Sequence, residues 1–330
     1  MKHVFVVHSN ITYLAALGVI VKEKLNMEDI VILSSYFGKE TPVKCHYINI
    51  NHRLKEVLIH PKKVLFPVKY ADNEIARLCN GERFIAYVDC MLTLHRIAAT
   101  HPLCDSINFI EEGSGVYTHK HSLLLHSAGV PRYGRKGYRN HSLESLLYDV
   151  MIVLKGYSLK MMSLPFYYDA YVGTDNIKFY GFSKDSFYAA SHKEIISLKS
   201  IRDAFHWTTT LDIDDCNIWL GQSYYVESYT LESYINGIKE GCAKKLKEKN
   251  VDAVWIKFHP VEKEDSKELT KKVFKEQGIE TKIISDEVIL EIELLKASNV
   301  VLWGNNTSIF LYASQMGITC NSIAEFIEHY

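Results

Sequence analysis

Short runs of β-branched and aromatic residues alternate with longer helical segments along this chain, and that alternation restricts its fold more than any other feature. HVFVV (3–7), DIVILSS (29–35), HYINI (46–50), RFIAYVD (83–89) and SINFI (106–110) read as strands, and 11–25 reads as a helix between the first two. Strands of a parallel sheet are apolar throughout because helices cover both faces, and these runs have that character. A second series begins near 216. NIWLGQS (217–223), AVWIKFH (253–259), TKIIS (281–285) and NVVLWG (299–304) read as strands, with helices near 230–249, 262–277, 287–297 and 307–316. The expectation is a Rossmann-like domain over 1–175, a second over 216–330, and a connecting region rich in Lys, Asp and Thr over 176–215. Two such sheets facing a central cleft take ligands at the carboxyl ends of their strands.

With 330 residues, 47% of them apolar, the chain is long enough to bury a core in each half. Lys and Arg number 38 against 39 Asp and Glu, so no global field attracts nucleic acid or an anionic membrane. Seven cysteines, without a CxxC pair, fit a reducing cytoplasm better than a disulfide framework or a zinc site. The opening MKHVFVVHSN reads as a first strand rather than a signal peptide. No run of about 18 apolar residues is present to span a bilayer. The basic, aromatic stretch RYGRKGYRN (132–140) precedes an apolar-rich helical candidate at 143–163. The pair reads either as a solvated loop with an ordinary helix or as a surface facing lipid or an acceptor.

Three strand ends carry reactive residues. In SINFIEEGSGVYT (106–118), Glu111, Glu112 and Gly113 follow an apolar run. Carboxylates at the mouth of a sheet can take a proton from a hydroxyl, and glycine admits a close-lying substrate; two solvated acids in a turn is the plain alternative. Lys257, His259 and Pro260 end AVWIKFHP, where an imidazole and an ammonium suit a phosphate. His-Pro also occurs at 60–61 and 101–102, so the dipeptide alone is weak. In WGNNTS, Thr307 and Ser308 stand where a helix begins, which either caps that helix or offers an anion hydroxyls and free N–H groups.

In this order and at these strand ends, Glu111-Glu112-Gly113, His259-Pro260 and Thr307-Ser308 resemble the D/E-D/E-G, HP and S/T-S motifs of bacterial sialyltransferases, the group of lipooligosaccharide sialyltransferases and polysialyltransferases. The resemblance implies a GT-B fold and inverting transfer of sialic acid from CMP-sialic acid to a hydroxyl, commonly of galactose, on a bacterial surface glycan. It implies no cofactor and no metal in the chemistry. Glu111 then corresponds to the general base, with Glu112 and Gly113 shaping its position, and His259 to the general acid or phosphate ligand. Lys257 and Pro260 accompany it, and Thr307 and Ser308 bind the phosphate. A ribose-binding glutamate corresponds to Glu293, with Glu291 as competitor. By position, His8, Ser9 and Asn10 after the first strand, and Gly221, Gln222 and Ser223 after NIWL, line the cleft. The implied partners are CMP-sialic acid and an oligosaccharide acceptor, lipid-linked in one version, with no nucleic acid. The implied location is the cytoplasm, with peripheral contact at the inner membrane as an extension. The rivals are another GT-B-like transferase, such as a CDP-glycerol glycerophosphotransferase, and a non-catalytic nucleotide-sugar-binding protein.

Overall fold

The computed structural model describes residues 1–38, 42–50, 65–117, 156–158, 160–161, 164–165, 167–188, 190–207, 209–222, 229–259, 261–305 and 307–327. The basic stretch 132–140, most of 143–163, Ser223 and Pro260 lie outside the described residues. The chain divides into two compact units, Met1–Trp207 and Thr208–Tyr330.

In the first unit, β1 (Lys2–Val6), β2 (Ile30–Ser34), β3 (Cys45–Tyr47), β4 (Phe84–Val88), β5 (Cys104–Ile110), β6 (Phe179–Gly181) and β7 (Lys193–Ile195) form one sheet. Its order is β3-β2-β1-β4-β5-β6-β7, and every pairing is parallel. At its centre Val4 stands beside Val31 on one side and Ala86 on the other. Helices α1 (Asn10–Lys22), α2 (Pro67–Leu78), α3 (Thr93–Thr100) and α4 (Leu198–Ala204) supply the covering layers. Val4, Val6, Leu33 and Ala86 share one core with Ile75 of α2 and Ile97 of α3. α1 buries every residue from Ile11 to Ile20 and packs against α4. Gly18 permits this approach, since a Cβ there would meet the Ile196 side chain at 2.9 Å.

The structure corrects the expected boundary. Part of the region expected to connect the domains, 176–215, instead supplies β6, β7 and α4 to the first unit, which extends to Trp207. Phe179 is 1% exposed and stacks on Phe109 at a centroid distance of 5.4 Å. Three-residue strands carry too little sequence for a period-2 pattern to show.

The second unit has β8 (Asn217–Leu220), β9 (Ala253–Lys257), β10 (Glu280–Ile283), β11 (Val301–Gly304) and β12 (Thr319–Ser322). Its order is β10-β9-β8-β11-β12, again all parallel. Alternation sends Trp219 and Trp303 to one face and Ile218, Leu220 and Leu302 to the other, so each face has its own core. α5 (Leu231–Ile238) runs through a π-turn at Lys239–Ala243 into α6 (Lys244–Glu248), and α7 (Glu264–Glu276), α8 (Leu290–Lys296) and α9 (Ser308–Gln315) complete the unit. Two Rossmann-like units in tandem are the domain content that the GT-B expectation requires. Among the described residues no helix is long and apolar enough to cross a membrane.

Gly181 provides a test of the boundary. A Cβ at this position would lie 2.5 Å from Ser186 Cβ and 3.2 Å from Glu111 Oε2, inside the first unit's core. Gly181→Ala is therefore expected to cost about 1–3 kcal/mol in urea unfolding, as overpacking does. A neutral substitution would mean that the segment is a connection after all.

Candidate functional site

Where strand order reverses in a parallel sheet, the connections leave on opposite faces and open a crevice at the carboxyl ends. In the first unit that reversal falls between β1 and β4, and in the second between β8 and β11. The residues just past these strands are His8, Ser9, Asp89 and Cys90 in the first unit, and Gly221, Gln222, Asn305, Thr307 and Ser308 in the second. The strands that lead to His259 and Thr307, β9 and β11, flank β8 on either side.

Glu111 directly follows β5 and is fully buried. Its Oε1 accepts from the Tyr117 hydroxyl at 2.8 Å, and its Oε2 from Phe182 N at 2.8 Å and the Ser186 hydroxyl at 2.7 Å. This carboxylate ties the end of β5 to the turn after β6. Glu112, one residue on, is only partly buried, and among the described residues no group donates a hydrogen bond to its carboxylate. Burial, reinforced by the Asp89 charge and opposed by His8, pushes its carboxyl up to about 7. Gly113 follows at φ +140°, a conformation that L side chains rarely adopt, so the chain turns sharply past Glu112.

Ser9 is the N-cap of α1. Its Oγ accepts from Thr12 N at 3.3 Å while Thr12 Oγ1 accepts from Ser9 N at 3.0 Å, a reciprocal capping pair. Asn10 is the first residue of that helix. The cap holds His8 at the β1 exit, where its Nδ1 lies 2.6 Å from Asp89 Oδ2. Burial disfavours charge on His8, but the Asp89 hydrogen bond and charge outweigh it and raise its pKa. Burial opposes charge on Asp89, yet the charges of His95 and His8 and the His8 hydrogen bond hold it well below the carboxylate range. Asp89, Cys90 and His95 were not among the expected site residues. His95 lies on α3, one turn past the β4 exit, and its approach to Asp89 comes from the fold.

In the second unit, Gly221 N donates to Lys257 O at 2.9 Å, and a Cβ on Gly221 would collide with Glu262 Oε2 and stand 3.1 Å from Phe258 Cα. Only glycine lets β8 end this close to the His259 turn. Gln222 N donates to the Tyr234 hydroxyl oxygen at 3.0 Å, and its Oε1 accepts from the Tyr229 hydroxyl at 3.1 Å. Asn305 Nδ2 in turn donates to the Tyr229 oxygen at 3.4 Å, so the β8 and β11 exits are linked through one phenol. His259 N donates to Glu262 Oε2 at 3.3 Å, and His259 Nδ1 accepts from Val261 N at 3.4 Å, which assigns the proton of the neutral ring to Nε2. Burial lowers the His259 pKa, so at neutral pH the ring offers a neutral Nε2–H donor.

Lys257 Nζ donates to Ser285 O at 2.6 Å and Val288 O at 3.1 Å, tying the loop after β10 and leaving one of its three protons. Thr307 caps α9 by accepting from Ile309 N at 3.1 Å, and its O–H remains a donor. Ser308 is the first residue of α9. Glu293 accepts from Thr210 N, Thr210 Oγ1 and Leu211 N, its closest contact being 2.9 Å, and so anchors the segment leading into β8. Burial lowers the Lys257 pKa, against the opposing charges of Asp286 and Glu291.

No family model matches the chain, and no curated protein does. Similar solved structures include MnaA of S. aureus with UDP, at 12% identity, covering 97% of this chain and 78% of that one with a TM-score of 0.49. The UDP-N-acetylglucosamine 2-epimerase of Rickettsia bellii is 10% identical over 97% and 78%, with a TM-score of 0.43. MurG of Acinetobacter baumannii is 12% identical over 92% and 72%, with a TM-score of 0.33.

Two expectations follow. Glu111→Ala leaves a buried N–H and two hydroxyls without their acceptor and is expected to cost about 3 kcal/mol in urea unfolding. For Glu262, burial pushes the carboxyl up to about 7 from 4.5, against the Ser266 hydroxyl, the His259 N–H and Lys267. A raised carboxyl costs the fold nothing below its unfolded pKa, and the cost grows until pH passes the folded value. Glu262→Gln should remove a stability loss on the order of 3 kcal/mol between pH 4.5 and 8, read as the difference between the two pH profiles.

Proposed function

We propose that this chain is a sugar-nucleotide enzyme, and in particular a sialyltransferase moving sialic acid from CMP-sialic acid to an oligosaccharide hydroxyl. The observation that carries this reading is the division of chemistry between the two sheets. The first unit offers an acid, Glu112, at a strand exit, and the second offers phosphate donors at its own. The motif resemblance supplies the identity of the donor.

Glu112, rather than the enclosed Glu111, takes the proton of the acceptor hydroxyl in this proposal. Glu111 acts as a positioning residue that fixes the β5 exit through Tyr117, Phe182 and Ser186. The departing CMP phosphate is held by His259 Nε2–H, the Thr307 hydroxyl and the N-terminal N–H groups of α9. An arriving phosphate anion favours protonation of His259, which then serves as its charged partner. Lys257 contributes by holding the loop after β10, with one proton left for the phosphate. Glu293 or its competitor Glu291 takes the ribose role, and the Glu293 carboxylate also holds Thr210 and Leu211. A carboxylate base acting opposite a leaving phosphate gives inversion at the anomeric carbon, as in the two-carboxylate logic of inverting glycosidases. No step in this scheme is routed through a metal. Location in the cytoplasm, where CMP-sugars would be at hand, belongs to the same proposal.

The test is turnover of CMP-sialic acid with a panel of galactosides, with CDP-glycerol and UDP-N-acetylglucosamine as competing ligands in thermal protection. Glu112→Gln is expected to lower kcat at least about a hundredfold with donor affinity nearly unchanged, as for a lost general base. Protection and turnover with either competitor, and none with CMP-sialic acid, would falsify the sialyl reading.

A further inference from the structure

Four side chains that the transfer scheme does not use meet where strand order reverses in the first unit. His8 comes from the β1 exit, Asp89 and Cys90 from the β4 exit, and His95 from α3. One ligand-type atom from each lies within 4.8 Å of all the others. Asp89 and His95 are 1% exposed and Cys90 is 3% exposed. Buried acids and imidazoles normally saturate their hydrogen bonds. Here Asp89 Oδ1 and both ring nitrogens of His95 are buried without one. His95 Nε2 does lie 2.8 Å from Asp89 Oδ1, but the pair is not aligned as a hydrogen bond.

We propose that His8, Asp89, Cys90 and His95 bind one transition-metal dication of the zinc type. Two imidazoles, a carboxylate and a thiolate are the donor set for tetrahedral zinc or cobalt, whereas magnesium and calcium take oxygen ligands. Charge balances in the buried site, because a dication offsets one carboxylate and one thiolate while the imidazoles stay neutral. Binding releases the Cys90 proton to solvent as sulfur becomes the thiolate ligand. Zinc–ligand bonds of about 2.0–2.3 Å place tetrahedral ligand atoms roughly 3.3–3.8 Å apart. The cluster spans 2.6 Å, between His8 Nδ1 and Asp89 Oδ2, to 4.8 Å, so shifts of about 1 Å complete it. The ion would pin the exits of β1 and β4 to the start of α3, shaping the crevice at the strand-order reversal without entering the phosphate chemistry.

The experiment uses the full chain, without a polyhistidine tag, loaded with zinc or cobalt and desalted. Elemental analysis is expected to give about one metal per chain. Cobalt should show the intense d–d bands of tetrahedral geometry and a thiolate charge-transfer band that Cys90→Ser abolishes and Cys79→Ser leaves in place. His95→Gln should weaken cobalt binding at least about tenfold, in line with a lost ligand. Zinc K-edge absorption on the unaltered chain should find one sulfur among four ligands, a reading independent of whether any variant folds. A chain that retains no metal, or a charge-transfer band that survives Cys90→Ser, overturns the site. Metal content is measured without turnover, so failure with CMP-sialic acid would not be mistaken for failure here.

Discussion

Parallel pairing of β1 with β4 and of β8 with β11 is the constraint on which the rest of the structure depends. Each pairing joins strands far apart in sequence, Val4 beside Ala86 and Trp219 beside Trp303. A parallel sheet must be covered on both faces, so each return path becomes a helix, and all strand exits fall on one edge. At the two reversals the helices leave in opposite directions, and the edge there is open to a ligand. His8 meets Asp89, and Gln222 is linked to Asn305 through Tyr229, because of this topology.

Glu111 and Glu112 show how a strand end divides labour between adjacent residues. Side chains along a strand alternate between faces, so two consecutive acids cannot share one environment. Glu111 falls among Phe182 N, Ser186 and Tyr117, which together supply three donors to its carboxyl oxygens. Glu112 falls on the side with Asp89 and His8, where burial lacks compensating donors. In the second unit the Glu293 carboxylate is likewise enclosed by donors, from Thr210 and Leu211.

Most of the architecture was legible from the sequence, because long apolar runs and 3.6-residue periodicity are strong local signals. Nine strands and the helices of the second unit lie close to their expected positions. β6, β7 and β12 were not legible: FYG, KEI and TCNS are too short to show alternation, and their pairing comes from tertiary contact. The candidate site was legible at Glu111-Glu112, His259 and Thr307, where a motif ends an apolar run. Which acid faces outward could not be read, since that depends on the pleat and on Ser186, 75 residues away. Ser9 was legible as a residue near the site but serves as a helix cap.

The His8, Asp89, Cys90 and His95 cluster is the clearest case of information that spacing cannot carry. Metal sites are recognised in sequence when two ligands fall within one turn or one loop, as in CxxC, because local geometry then brings them together. Here one ligand comes from residue 8 and three from 89–95, and the separation of 81 residues between His8 and Asp89 is closed by the β1–β4 pairing. Cys90 and His95 are five apart across the β4 exit and the start of α3, a spacing with no fixed distance until the chain turns. The cysteine count pointed away from zinc because it weighed cysteines only against one another. A mixed donor set at a strand-order reversal is assembled by the sheet, and it becomes visible when the strand exits are read together.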